Sequence, residues 1–239
     1  VILLDPAARP IVGHRGASGI CPENTLLAFR EALAMGADAL EFDVRLSRDG
    51  VAVLMHDASV DRTTNGRGLV ADRDLKDLQC LDAGRGEPVP TLDGVLEEFR
   101  RVPLIVEVKE ARAAAAVVTA LQRHAASGRV LVGSFVARAL VPFGVRDFHR
   151  SASRRETARA WLASRVGIGM AGPYRAFTVP ERHGRRTIVD ARFVAAAERR
   201  GRPVHVWTVD DPHQARRLRA LGVCGIITNF PDRMRTLES

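Results

Sequence analysis

The chain has 239 residues, 46% of them hydrophobic, which supports one large buried core and excludes a fibrous or disordered protein. Its formal net charge of +8 raises a nucleic-acid partner, but the basic residues fall in scattered pairs such as Arg154–Arg155 and Arg185–Arg186, and aromatics make up only 5%. A concentrated basic stripe with stacking rings is therefore missing, and no nucleic acid is expected. No apolar run approaches the ~20 residues that span a bilayer. The opening VILLDPAARP is too short, and lacks the basic start, to be a secretory signal. Cys21, Cys80 and Cys224 form no CxxC pair and no zinc spacing, as expected of reduced thiols in a cytoplasmic protein.

In chain order, a short buried strand is expected over residues 10–14, then a helix over 24–35 with Asn24 as its cap and Gly36 past its end. Strands follow at 39–46, 51–55, 104–108, 130–134, 166–170, 204–209 and 225–228. Helical patterns lie between most of them, at 92–100, 111–124, 154–164, 191–200 and 212–221. This alternation predicts parallel βα units, and about eight strands in this length favour a TIM-type (β/α)8 barrel over an open doubly wound sheet. No GxGxxG follows the first strand, so a dinucleotide site has no support. Residues 57–90, rich in Asp, Gly, Thr and Arg, break the rhythm and read as a small insertion after the third strand, within a single domain spanning 1–239.

Two carboxylates stand out in EFDVRLSRDG. Residues two apart on a strand share a face, so Glu41 and Asp43 project together. A half-exposed strand would also produce this pattern. The register argues for more: Asp49-Gly50 reads as a two-residue hairpin loop that pairs Arg48 with Val51, and hence Asp43 with His56. His14-Arg15 ends the first strand, where a barrel collects catalytic groups. Glu107 and Lys109 end another strand and again share a face. Only Lys76 and Lys109 among the 36 Lys and Arg residues are lysines, which suggests that position 109 wants a compact point charge. Three carboxylates without a thiol or imidazole cluster fit a hard cation, Mg2+ or Ca2+, better than zinc. Two histidines beside such an ion, with an Arg and a Lys, are what phosphodiester cleavage requires.

By these residues the sequence resembles the glycerophosphodiester phosphodiesterase family over nearly its whole length. The motifs occur in order: HRGASGICPENTLLAF (14–29), GADALEFDVRLSRDG (36–50), VLMHD (53–57), DRTTNGRG (61–68), VEVK (106–109), VLVGSF (130–135), VWTVD (206–210) and GIITNFPD (225–232). The resemblance implies a TIM-barrel hydrolase that splits glycerophosphodiesters into sn-glycerol 3-phosphate and an alcohol with a divalent metal. It assigns Glu41, Asp43 and Glu107 as metal ligands, His14 as general base and His56 as general acid. Arg15 and Lys109 would hold phosphate oxygens, and Trp207 would line the alcohol or glycerol pocket. Attack by water and attack by the neighbouring glycerol hydroxyl, through a cyclic phosphate, both fit. Two positions depart from common family residues: Cys224, often Asp, and Asp210, often Asn. Neither belongs to the expected metal or acid–base set, so both bear on packing or specificity.

Glu23 and Asn24 are expected to fix their loop and cap the following helix, and His124, His149, His183, His205 and His213 to be surface or packing residues. A second reading keeps the site but places lysophospholipids under it, with arginines resting on an anionic membrane in the manner of a lysophospholipase D. No amphipathic anchor supports it. A third, a catalytically dead barrel that binds phosphodiesters, would predict loss of a ligand or histidine, and all are present.

Overall fold

The structure, a computed structural model, describes residues 1–144, 147–167 and 169–235. In chain order its elements are β1 (Ile11–His14), α1 (Leu26–Ala34), β2 (Ala39–Leu46), β3 (Ala52–Leu54), α2 (Leu75–Gln79), α3 (Leu92–Glu98), β4 (Leu104–Val108) and α4 (Ala114–Arg123). Then come β5 (Val130–Gly133), β6 (His149–Arg150), α5 (Arg154–Arg165), β7 (Phe177–Pro180), β8 (Arg182–His183), β9 (Arg186–Thr187) and α6 (Ala191–Glu198). The chain finishes with β10 (Val204–Trp207), α7 (Pro212–Ala220), β11 (Gly225–Thr228) and α8 (Pro231–Met234).

Eight of these strands run parallel in the order β6-β5-β4-β2-β1-β11-β10-β7, and a parallel bridge between Ser151 and Ala176 joins the two ends of that path. The result is a TIM-type barrel. Alternation along the strands sorts side chains into two layers. Leu40, Phe42 and Val44 of β2 face outward into the cluster that α1, α3 and α4 cover, as do Leu104, Val106 and Val108 of β4. Val12, Ala39, Ile105, Leu131, Ala176 and Ile227 face inward and fill the barrel floor. Leu3, in a single helical turn at Ile2–Leu4, joins that inner layer, and its carbonyl accepts a hydrogen bond from His205 Nε2 (2.8 Å). The same inward register, read one step further along each strand, carries charge: above Ala39 come Glu41 and Asp43, and above Ile105 come Glu107 and Lys109.

Three expectations need correction. The eight expected strands included 51–55 and 166–170, and neither belongs to the barrel. The first forms β3, which pairs antiparallel with β2 outside the ring. Of the second, residue 168 lies outside the described residues, and its described residues form no strand. Val166 there only closes α5. The two remaining barrel positions are taken by β6 and β7. The hairpin register is also shifted by one: Val44 pairs with Leu54 and Leu46 with Ala52, and Met55 N, rather than a His56 group, donates to Asp43 O (3.1 Å). The loop holds three residues because Asp49 is engaged elsewhere. Its carboxylate accepts from Ser47 Oγ (2.5 Å) and from Leu75 N (3.0 Å), and Gly50 takes the positive φ (85°) that closes such a loop. The third correction concerns the cap of α1, which is Thr25, whose side chain accepts from Ala28 N, and not Asn24.

Residues after β3 pack as a unit of their own. Val60, Val70, Leu78, Ala83 and Val89 form a small apolar cluster against Val53 and Met55. Cys21, Cys80 and Cys224 are free. Among the described residues no helix is long and apolar enough to cross a membrane.

Candidate active site

The C-terminal mouth of the barrel opens into a cleft of about 510 Å3 lined by His14, Arg15, Glu41, His56, Glu107, Lys109 and Trp207, among others. Strand register accounts for most of this convergence. His14 lies opposite Glu41 across β1 and β2, and Asp43 lies opposite Glu107 across β2 and β4. Carboxylate oxygens of Glu41, Asp43 and Glu107 lie within 4.8 Å of one another. Glu41 and Asp43 are buried, and Glu107 is half-buried.

Three acids packed this tightly repel one another, and the barrel compensates unevenly. Burial pushes the Glu41 carboxyl well above its usual range, and Asp43 and Glu107 add to the shift. Burial also raises Glu107, against the pull of Lys109. Burial acts on Asp43 too, but Lys109, Arg15 and Asn24 outweigh it and hold its carboxyl below the ordinary value. Lys109 Nζ stands 3.2 Å from Asp43 and 2.9 Å from Glu107. Arg15 Nε is 3.1 Å from Asp43 Oδ2 at an angle too poor for a hydrogen bond. Asn24 Nδ2 donates to Asp43 Oδ2 (3.0 Å), and its Oδ1 accepts from Asp43 N (3.2 Å).

The turn after β1 is built to deliver Arg15. Its N–H donates to Glu41 O (2.8 Å) and to Glu41 Oε2 (3.1 Å), with Arg15 itself at φ 55°. Gly16 follows at φ 82°, where a Cβ would sit 2.5 Å from the Ala28 backbone, so only glycine lets the turn rest on α1. Arg15 then reaches Glu23 (2.9 Å), and Arg62 clamps the same Glu23 from the far side (2.8 Å). Glu23 and Asn24 thus fix their loop, as expected, although they do so through the site's own charges.

The two histidines differ in what holds them. His14 Nδ1 is 2.7 Å from Asn229 Oδ1. Asn229 Nδ2 donates to Asp210 Oδ2 (2.7 Å), and a carboxylate only accepts, so the amide oxygen faces the ring. His14 Nδ1 is therefore the protonated nitrogen, and its Nε2 lone pair points at the cleft, 3.9 Å from Glu41 Oε2. Burial lowers the His14 pKa, the bond to Asn229 opposing it, and so favours the neutral ring. His56 Nδ1 instead meets a carboxylate, Asp57 Oδ1 (2.6 Å), itself held by Arg62 (2.6 Å) and depressed mainly by that bond. Its backbone carbonyl is pinned by Arg45 Nε (3.0 Å) and Nη2 (2.8 Å).

The structure brings the eight residues singled out from the sequence together at this mouth, seven lining the cleft and Asp43 buried against Glu41 and Glu107. Trp207 lines the cleft and meets Phe135 edge to face, ring centroids 5.7 Å apart. Sequence reasoning missed Asn229 and Asp210, which orient His14. Both follow barrel strands at the end where functional groups collect, and that position was the available signal. Asp210, set apart as bearing on packing or specificity, is one amide away from the imidazole. It also accepts from Asn229 N (2.8 Å) and Thr228 Oγ1 (3.0 Å).

Comparison with known proteins agrees with this geometry. A family model for the glycerophosphoryl diester phosphodiesterase family matches residues 14–233. A glycerophosphodiester phosphodiesterase of Caldanaerobacter subterraneus subsp. tengcongensis is 30% identical, covering 95% of this chain and 96% of its own. One of Bacillus subtilis (strain 168) is 30% identical over 96% of this chain and 86% of its own. Among solved structures, an Oleispira antarctica phosphodiesterase in complex with the product sn-glycerol-3-phosphate superposes with a TM-score of 0.81 at 27% identity, covering 97% of both chains. With its motifs, its barrel and these relatives in agreement, the chain belongs to the glycerophosphoryl diester phosphodiesterase family.

Proposed function

We propose that the cleft hydrolyses glycerophosphodiesters to sn-glycerol 3-phosphate and an alcohol, using a divalent cation, Mg2+ or Ca2+, with His14 as general base and His56 as general acid. The observation that carries this reading is the placement of two differently partnered imidazoles in one cleft with a three-carboxylate cluster. The cluster suits a hard cation: its donors are all oxygens, and burial disfavours Glu41 and Glu107 as anions by more than Arg15 and Lys109 offset. Glu41, Asp43 and Glu107 would hold the ion, which when bound supplies Lewis-acid neutralisation of phosphate charge.

The remaining work falls to side chains. Arg15 and Lys109 sit against Asp43 with their charged ends toward the cleft and offer N–H donors to phosphate oxygens. His14 Nε2, its lone pair fixed by the Asn229 bond at the opposite nitrogen, takes the proton of the attacking hydroxyl, whether water or the glycerol hydroxyl beside the phosphate. His56, aligned by Asp57, gives a proton to the departing alcohol oxygen. Glycerophosphocholine hydrolysis should stop in EDTA and return when Mg2+ or Ca2+ is added. Full activity in chelator would exclude the cation from the reaction.

A further inference from the structure

The cleft runs from the carboxylates on β2 and β4 across the mouth to the opposite side of the ring, where α5 and the β8–β9 hairpin form its wall. Arg154, His183 and Arg186 line that far arm. Arg154 Nη2 donates to His183 Nε2 (3.2 Å), which ties the helix to the hairpin. Among the described residues, no carboxylate lies within ion-pair distance of Arg154 or Arg186. The acids carried by the surrounding elements are already engaged. Glu156 holds Arg150 through two contacts of 2.8 Å and completes the cap of α5. Glu181 takes Gln214 (2.6 Å) and Arg217 (2.7 Å), and Asp190 takes Arg165. The far arm therefore presents cations that the protein itself leaves unneutralised.

We infer that, given the phosphodiesterase reading above, this arm selects substrates whose leaving alcohol carries a second phosphate. The glycerophosphate half brings its only charge to the carboxylate end of the cleft, so an anion for Arg154 and Arg186 has to come from the alcohol. Planar guanidinium forks match phosphate oxygens in pairs, which favours phosphate over a single point contact. A quaternary ammonium head group meets the opposite situation. The guanidinium groups of Arg154 and Arg186 repel it, and the Trp161 ring in the same wall already carries the Arg165 guanidinium 3.7 Å from its centroid. The cleft has room for the larger substrate: its volume of about 510 Å3 exceeds what a glycerophosphate alone fills.

The test compares glycerophosphoglycerol with the same molecule bearing a terminal phosphate monoester, and with glycerophosphocholine, at fixed ionic strength and added Mg2+. The phosphate-bearing substrate should have a kcat/KM about tenfold above glycerophosphoglycerol, the size expected of a few partly exposed charged contacts. The preference should shrink as salt rises. In the Arg154→Gln/Arg186→Gln variant, whose replaced side chains are exposed and leave the core untouched, the ratio between the two substrates should fall towards one. A ratio near one in the unaltered protein, or an unchanged ratio in the variant, overturns the inference while glycerophosphoglycerol turnover leaves the phosphodiesterase reading standing. Absence of turnover on all three substrates overturns both.

Discussion

His14 and His56 face the same cleft, but the groups behind them differ in charge, and in the proposed mechanism that difference assigns each to one half of an acid–base pair. His14 leans on a neutral amide whose orientation Asp210 fixes, so its free nitrogen accepts. His56 leans on a carboxylate, which orients the ring through Nδ1 and leaves Nε2 as its other nitrogen. Replacing either with alanine should lower kcat by about 10²- to 10⁴-fold, the usual size of general acid–base catalysis. Asn229→Leu keeps His14 but frees its tautomer and tilt, and should cost about tenfold to a hundredfold, as loss of an orienting partner commonly does. Steady-state kinetics at saturating cation checks all three. An Asn229→Leu enzyme with unaltered kcat would remove the Asp210–Asn229–His14 chain from the mechanism.

At the scale of elements, the turn after β1 decides where Arg15 and His14 point. Gly16→Ala forces a side chain into a positive-φ position 2.5 Å from the Ala28 backbone, and should destabilise the fold by about 1–3 kcal/mol. A urea midpoint equal to that of the unaltered protein would show that the turn relaxes freely. The same scale explains what could be read in the sequence. β2 and β4 were legible because alternation with one face outward leaves Glu41, Asp43, Glu107 and Lys109 no direction but the barrel mouth. The β2–β3 register was not, because Asp49 binds Ser47 and Leu75, and the latter belongs to a segment 26 residues away in sequence. β6 has two residues and β7 four, too short for a periodic signal, whereas the apolar run at 166–170 imitated a strand beside them. Asn24 looked like a helix cap because it precedes an apolar run, but tertiary contact with Asp43 claims it and leaves the cap to Thr25.

Across the whole molecule, the barrel is plugged below and active above. The plug depends on His205, which is fully buried and bonded to Leu3 O, its pKa pushed down to about 4 by burial. An exposed histidine titrates near ~6.5, so between those values the unfolded chain binds a proton that the folded chain refuses. Stability contributed by this residue should thus be intact above about pH 6.5 and fall as pH drops towards 4, by about 2 kcal/mol at pH 5. Urea midpoints at pH 7.5 and 5 should converge in His205→Gln relative to the unaltered protein. Equal slopes in the two would show that His205 already carries its proton in the fold. Above the floor, strands distant in sequence bring three acids to one point, and the account rests on that point holding a cation. Calorimetric titration with Mg2+ and Ca2+ tests it most directly. One ion should bind per chain, with binding lost in Asp43→Asn. No binding at millimolar ion in the unaltered protein, or undiminished binding in the variant, would contradict it.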